Sequence, residues 1–184
     1  MSTKQLNLKQ QYQEQVLPAL KKEFGYTNNM AVPRLVKVTL NVGFGQASKD
    51  AKLQEVAVKT LTRITGQKPV VTLARKSISN FKIRQGMPIG AMVTLRGARM
   101  YDFLTKLTRI ALPRVRDFRG LSASSIDARG NLSIGFREHM VFPEIRPDEL
   151  EGVHGLELSI LTTAGEPAKG KRLFELLGFP FSKV

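Results

Sequence analysis

The chain has 184 residues and no cysteine, and its 29 Lys and Arg stand against 15 Asp and Glu, a formal net charge of +14. Without cysteine there is no disulfide, no thiolate nucleophile and no Cys-based zinc or iron–sulfur site. No run of about 18 apolar residues reads as a membrane span, and the first residues lack the apolar stretch of a signal peptide. The positive charge is concentrated: residues 63–119 hold 13 Lys and Arg with only Asp102 and Asp117 opposing them, a net +11. So much charge of one sign repels itself until a partner neutralises it. A polyanion is the partner this pattern fits, because each cation placed on a phosphate releases condensed counterions.

Leu8, Tyr12, Val16, Leu20 and Phe24 recur every four residues, the apolar stripe of a helix. Pro18 lies inside the pattern, so the helix should kink or restart there, and Gly25 is a fitting stop. From Val36 the period changes to two. Val36, Val38, Leu40 and Val42 point one way and Lys37, Thr39 and Asn41 the other, a half-buried strand with a polar face. Gly43-Phe44-Gly45 ends it. The two glycines resemble the start of a dinucleotide fingerprint, but Ser48 stands where a third glycine is needed, so they predict a turn. Asp50 to Thr65 predicts a second helix, with Leu53, Val56, Ala57, Leu61 and Ile64 on one face and Gly66 after it.

Pro69 to Arg75 predicts a strand and Ser77 to Pro88 a long basic loop. Ala91 to Arg96 predicts another strand, with Ala91, Val93 and Leu95 inward and Met92, Thr94 and Arg96 outward. Met100, Phe103, Leu104, Leu107, Ile110 and Ala111 mark a third helix that Pro113 ends or bends. After turn-rich residues 120–130, Leu132, Ile134 and Phe136 alternate with Asn131, Ser133 and Arg137. Residues 138–155 form an acidic loop, Leu156 to Thr163 a last strand, and Leu173 to Leu177 a short last helix before Gly178. The order α-β-α-β-β-α-β-β-α, with one polar sheet face, implies a single α+β domain over residues 1–184: a mainly antiparallel five-stranded sheet with helices packed on one face.

Thr39 and Asn41 share the polar face with Thr94 and Arg96 if their strands lie near each other. Small hydrogen-bonding groups with a few cations on a sheet suit RNA, where backbone, 2′-OH and unstacked bases are all read; a plain solvated face is the alternative. The loop holds Arg75, Lys76, Lys82 and Arg84 with no acid, and Ser77 and Asn80 as neutral donors. Long loops on compact domains are often functional. Gly165-Glu-Pro-Ala-Lys-Gly-Lys-Arg172 is one residue from a Walker A loop, but Arg172 replaces the Ser or Thr that reaches Mg²⁺ and Pro167 removes a needed N–H. A helix start with proline near its first position suffices. His139 and His154, the only histidines, lack a metal-ligand spacing, and no nucleophile–base pair is visible, so no metal, cofactor or catalysis is expected. A DNA-binding protein is the other rival, but a polar sheet face and a basic loop argue against it.

The segment Leu61-Thr-Arg-Ile-Thr-Gly-Gln-Lys-Pro-Val-Val-Thr-Leu-Ala-Arg-Lys-Ser77 resembles the signature of the ribosomal protein L-five family, bacterial type. Residues 78–84, 88–90, 93–97 and 112–120 resemble the same family in the same order, and upstream Pro33 to Gly43 also fits. The resemblance covers nearly the whole chain. It implies a structural constituent of the large ribosomal subunit in the cytoplasm, binding 5S rRNA and other large-subunit rRNA and proteins in the central protuberance. Asn41, Gln67 and Thr94, with Thr39 and Arg96 on the same face, would then bind 5S rRNA. The basic loop of about 75–88, through Arg75, Lys76, Ser77, Asn80, Lys82 and Arg84, would contact the elbow of a P-site tRNA. The acidic loop, through Glu138, Glu144, Asp148, Glu149 and Glu151, would help bridge to small-subunit protein S-thirteen.

Overall fold

The first apolar stripe folds into a helical run that changes its winding where proline demands it. The computed structural model describes residues 7–45, 51–145 and 153–182. Leu8–Gln11 (α1) opens with Asn7 as cap, its side-chain oxygen accepting the Lys9 N–H while the Gln10 side chain accepts the Asn7 N–H. Tyr12–Val16 then forms a wide π turn, and Leu17–Phe24 (α2) follows with Pro18 in its first turn. The Leu17 N–H reaches back to the Tyr12 carbonyl. This wider loop of backbone lets the run pass Pro18, whose ring and missing N–H would break a regular turn. It also keeps the stripe aligned. Side chains four apart drift by roughly 40° per step on an α-helix, and the wider turn takes back part of that drift. Leu8, Tyr12, Val16 and Leu20 are accordingly all buried. Gly25, at φ +68°, ends the run.

Gly97–Lys106 (α4) repeats the device, continuing into a π turn at Leu107–Ala111 and a 3₁₀ turn at Leu112–Arg114 that holds Pro113. Here the device changes the expected stripe. The wide turn brings Ala111 and Leu112 inward and leaves Ile110 44% exposed, so Ile110 is not on the buried face. Ala51–Thr65 (α3) buries Ala57, Thr60, Leu61 and Ile64, and Gly66 closes it at φ +66°. Asp50, Ser48 and the expected start of this helix lie outside the described residues. Pro167–Leu176 (α5) begins at Pro167, the helix start with proline near its first position, and runs through Leu173.

Leu35–Gly43 (β1), Val70–Leu73 (β2), Pro88–Leu95 (β3), Leu132–Phe136 (β4) and Leu156–Thr162 (β5) form one five-stranded antiparallel sheet in the order β2-β3-β1-β5-β4. The element order is the expected one. Alternation holds in β3, β4 and β5 but slips once in β1: Leu35 and Val38 are buried, whereas Val36 is 37% exposed and not part of the inward set. β2 is the outermost strand beside β3. Its Val70, Val71 and Leu73 are all exposed. Arg96, expected on β3, has left the strand and forms the N-terminal cap position of α4.

The residues fall into two compact units. The first comprises the described residues of 1–38, 95–134 and 159–184, the second those of 39–94 and 135–158. In the first unit, Tyr12 Oη donates to the Pro33 carbonyl at 3.0 Å, and Arg172 pairs with Glu23 at 2.8 Å. The Thr162 hydroxyl donates to the Gly130 carbonyl at 2.9 Å, and the Asn131 side chain accepts the Thr162 N–H at 2.8 Å. Gly130 takes φ +78° and its backbone lies directly against Gly170 of α5. Gly170 of the Walker-like stretch is therefore a site of close backbone packing. In the second unit, Leu40, Val42, Ala91 and Val93 from the strands and Ala57, Leu61 and Ile64 from α3 form the core.

Gly170→Ala tests this packing. Alanine favours a helix over glycine by up to about 1 kcal/mol, but the new Cβ would overlap the Gly130 carbonyl and Cα, which cannot rotate aside. Overpacking costs about 1–3 kcal/mol, so the urea midpoint should fall. Gly135→Ala, where nothing lies within 4 Å of the new carbon, should leave it nearly unchanged.

Candidate nucleic-acid interface

The strand alternation that buries Leu40, Val42, Ala91 and Val93 turns their neighbours to the other side of the sheet. In the second unit that outer side carries Thr39 and Asn41 from β1 and Met92 and Thr94 from β3. Asn41 is exposed, and Thr39 and Thr94 are half-buried. Gln67 joins them through the turn after α3. The Thr65 hydroxyl accepts the Gln67 N–H at 3.3 Å, and Gln67 Nε2 donates to the Thr94 carbonyl at 3.4 Å. The amide is thus held over the end of β3 with its oxygen unused by any of these bonds. Of the expected face residues the structure brings together Thr39, Asn41, Gln67 and Thr94.

The face also has an apolar strip that sequence reasoning missed. Val70 of β2 pairs directly with Met92 of β3, and they are 66% and 37% exposed. Directly paired residues share one face. The outward phase of Met92 was legible; that of Val70 depends on a register that only pairing fixes. A methyl-bearing strip beside amides and hydroxyls can pack against ribose and base while the polar groups take hydrogen bonds.

Backbone hydrogen bonds shape the basic loop. At its base, Ala74 N–H donates to the Met87 carbonyl at 2.8 Å and Gly86 N–H to the Ala74 carbonyl at 2.9 Å. Further out, Ser77 Oγ accepts the Gln85 N–H at 3.0 Å. Ile78 and Ile83 exchange two backbone bonds, 2.9 and 3.2 Å, around a 3₁₀ turn at Ser79–Phe81. Lys82 closes that turn in the left-handed region, at φ +54°, an uncommon place for a residue with a Cβ. Backbone strain of this kind concentrates at functional sites. Arg75, Lys76, Asn80, Lys82 and Arg84 are all exposed. A shallow groove runs along the loop, lined by Ser77, Ser79, Lys82, Ile83, Arg84 and Met87.

In the acidic segment, Glu138 is exposed and Glu144 half-buried; Asp148, Glu149 and Glu151 lie outside the described residues. The segment also brings together the two histidines, which spacing alone did not connect. Their rings stack with centroids 4.1 Å apart and an 11° tilt. His139 Nδ1 lies 3.3 Å from the His154 N–H and 3.2 Å from the His154 carbonyl. Among the described residues no group of three or more His, Cys, Asp or Glu side chains could hold a metal ion, and no helix is long and apolar enough to cross a membrane.

Known proteins resemble this chain along nearly its whole length. A family model described as Ribosomal protein L5 matches residues 28–84, and a model for the C-terminus of the same ribosomal family matches residues 88–181. Large ribosomal subunit protein uL5 of Thermotoga maritima is 56% identical over 176 residues, covering 96% of each chain. The uL5 proteins of Chloroflexus aurantiacus, at 55%, and Microcystis aeruginosa, at 53%, match over 96% and 95% of this chain and 98% and 97% of theirs.

The histidine stack predicts how stability depends on pH. Burial pushes both imidazoles below their ordinary value, and for His154 the charge of His139 pushes the same way. Both are neutral in the folded chain at neutral pH, so stability is full above the unfolded value of about 6.5 and is lost as pH falls below it. The urea midpoint should therefore drop between about pH 7.5 and about pH 5.5. His154→Phe keeps a ring in the stack and removes a buried Nε2 that has no hydrogen-bond partner. It should flatten the histidine part of that pH dependence.

Proposed function

The chain belongs to the ribosomal protein L5 family of the large subunit, and on that premise we propose that it anchors 5S rRNA in the central protuberance through its outer sheet face. As a structural constituent of the large subunit it works in the cytoplasmic ribosome, and its partners are rRNA and other ribosomal proteins. The observation that carries the 5S reading is the outer face itself: Asn41 exposed, Gln67 pinned to Thr94, and Thr39 beside them. Those groups supply donors and acceptors for base edges and 2′-hydroxyls. Arg96, exposed at the N-terminal cap position of α4, is a further candidate for a 5S rRNA phosphate. Val70 and Met92 add apolar contact to the same surface.

The basic loop has a different job in this reading. It contacts a P-site tRNA, with Arg75, Lys76, Lys82 and Arg84 meeting phosphates and Ser77 and Asn80 hydrogen-bonding beside them. The acidic segment, Glu138 and Glu144 with Asp148, Glu149 and Glu151, faces the small subunit and bridges to protein S-thirteen. From residue 138 to the end the chain has eight acids against five bases, a sign of charge suited to a basic protein partner and unsuited to RNA.

Asn41→Ala and Thr94→Val should each weaken 5S rRNA binding by about 1–3 kcal/mol where an RNA group is left buried and unpaired. Their thermal unfolding should match the parent, because neither side chain belongs to the core. Affinity should also fall steeply with salt, and the log–log slope should lessen by a little under one for each phosphate-contacting cation removed. Unchanged affinity with lowered stability would place these side chains in folding instead of RNA binding. On ribosomes, replacing Lys76, Lys82 and Arg84 together by Gln should leave subunit assembly intact and speed tRNA release. Failed assembly with normal tRNA retention would move the loop to the 5S surface.

A further inference from the structure

Phosphate contact accounts for the cations of the basic loop but not for the residue at its tip. Phe81 is 73% exposed. Burying a phenylalanine side chain is worth about 1.5–3 kcal/mol, so a slack loop would fold the ring back against the protein. This loop has no such slack. The Ile78–Ile83 bonds, the Lys82 N–H to the Ser79 carbonyl at 2.9 Å and the Gln85 N–H to Ser77 Oγ fix the turn that presents Phe81. Lys82, held at φ +54°, sets the turn's return.

The surroundings identify what such a ring can meet. Arg75, Lys76, Lys82 and Arg84 flank it, and residues 75–84 contain no acid. A protein groove that accepted Phe81 would have to accommodate four cations as well. A nucleic acid offers a flat π face next to phosphates, and so satisfies the aromatic and the cations at once. Resting on the reading that this loop meets RNA, we propose that Phe81 is a base-stacking platform, packing on a nucleobase face that has no neighbour stacked on it. The loop then does more than sense charge. It selects an RNA with an open base at the height of the tip, which phosphate contacts alone do not do.

Stacking and phosphate contact respond differently to salt, and that separates them. Ribosomes are assembled with the full chain carrying Phe81→Leu, Phe81→Trp or the combined Lys76→Gln, Lys82→Gln and Arg84→Gln change, and dissociation of deacylated tRNA from the P site is measured over a range of salt. Base–aromatic stacking losses correspond to about 5- to 150-fold. Phe81→Leu should therefore speed release on the order of that range with its salt dependence unchanged, and Phe81→Trp should stay within about twofold of the parent. The charge change should instead flatten the salt dependence. The chain has no tryptophan, so emission from the isolated Phe81→Trp chain should be quenched when deacylated tRNA binds.

Faster release from the charge variant with an unchanged rate for Phe81→Leu would overturn the stacking proposal while leaving the tRNA reading intact. Unchanged rates for both would overturn the two together. Equal acceleration by Leu and Trp, or failure of the Phe81→Leu subunit to assemble, would assign Phe81 to apolar packing within the subunit and also overturn the proposal.

Discussion

A sheet with one side sealed and the other bare is the constraint on which the rest of this molecule depends. Leu40, Val42, Ala91 and Val93 are almost wholly removed from water, and every one of them fixes the opposite orientation for its neighbours. Among the described residues, the bare side of β1 and β3 carries Thr39, Asn41, Met92 and Thr94, none of them buried. Its groups are small, hydrogen-bonding or methyl-bearing, and are held by backbone that cannot move without opening the core. Gln67 illustrates the coupling: its amide is positioned by a glycine turn, a threonine hydroxyl and a strand carbonyl. A rigid surface loses little entropy when a partner docks, which favours affinity without adding contacts.

The loop between β2 and β3 solves a different problem with similar means. It has no core beneath its tip, so backbone hydrogen bonds hold its shape. Positive charge alone would draw any polyanion, at a distance limited by screening. Fixed shape adds discrimination at contact. The acidic segment completes the separation of signs along the chain, and stretches of opposite sign suit partners of opposite charge.

The order of elements was legible because each change of hydrophobic period coincides with a glycine or proline. The outer face was legible for the same reason, since period two assigns sides. What was not legible lies where the chain departs from regular winding. The π turns shift the phase of a helical stripe by part of a turn, enough to expose Ile110, and a slip in β1 exposes Val36. Long-range meetings were also hidden. His139 and His154 stack, and Gly130 meets Gly170, through tertiary structure that spacing does not encode. Phe81 was overlooked because a count of charges assigns an aromatic between them no role.

The outermost strand, β2, has a consequence for the chain's life before it reaches its RNA. Its exposed Val70, Val71 and Leu73, on a strand that ends the sheet among the described residues, are the ingredients of strand-to-strand aggregation. Lys68 and Pro69 precede it, and Arg75 and Lys76 follow. Cations and proline in these flanking positions act as gatekeepers. The chain's net charge of +14 adds a general repulsion between copies. The same charge that recruits RNA therefore keeps newly made, unassembled copies apart, and assembly neutralises it only once each copy is committed to a particle.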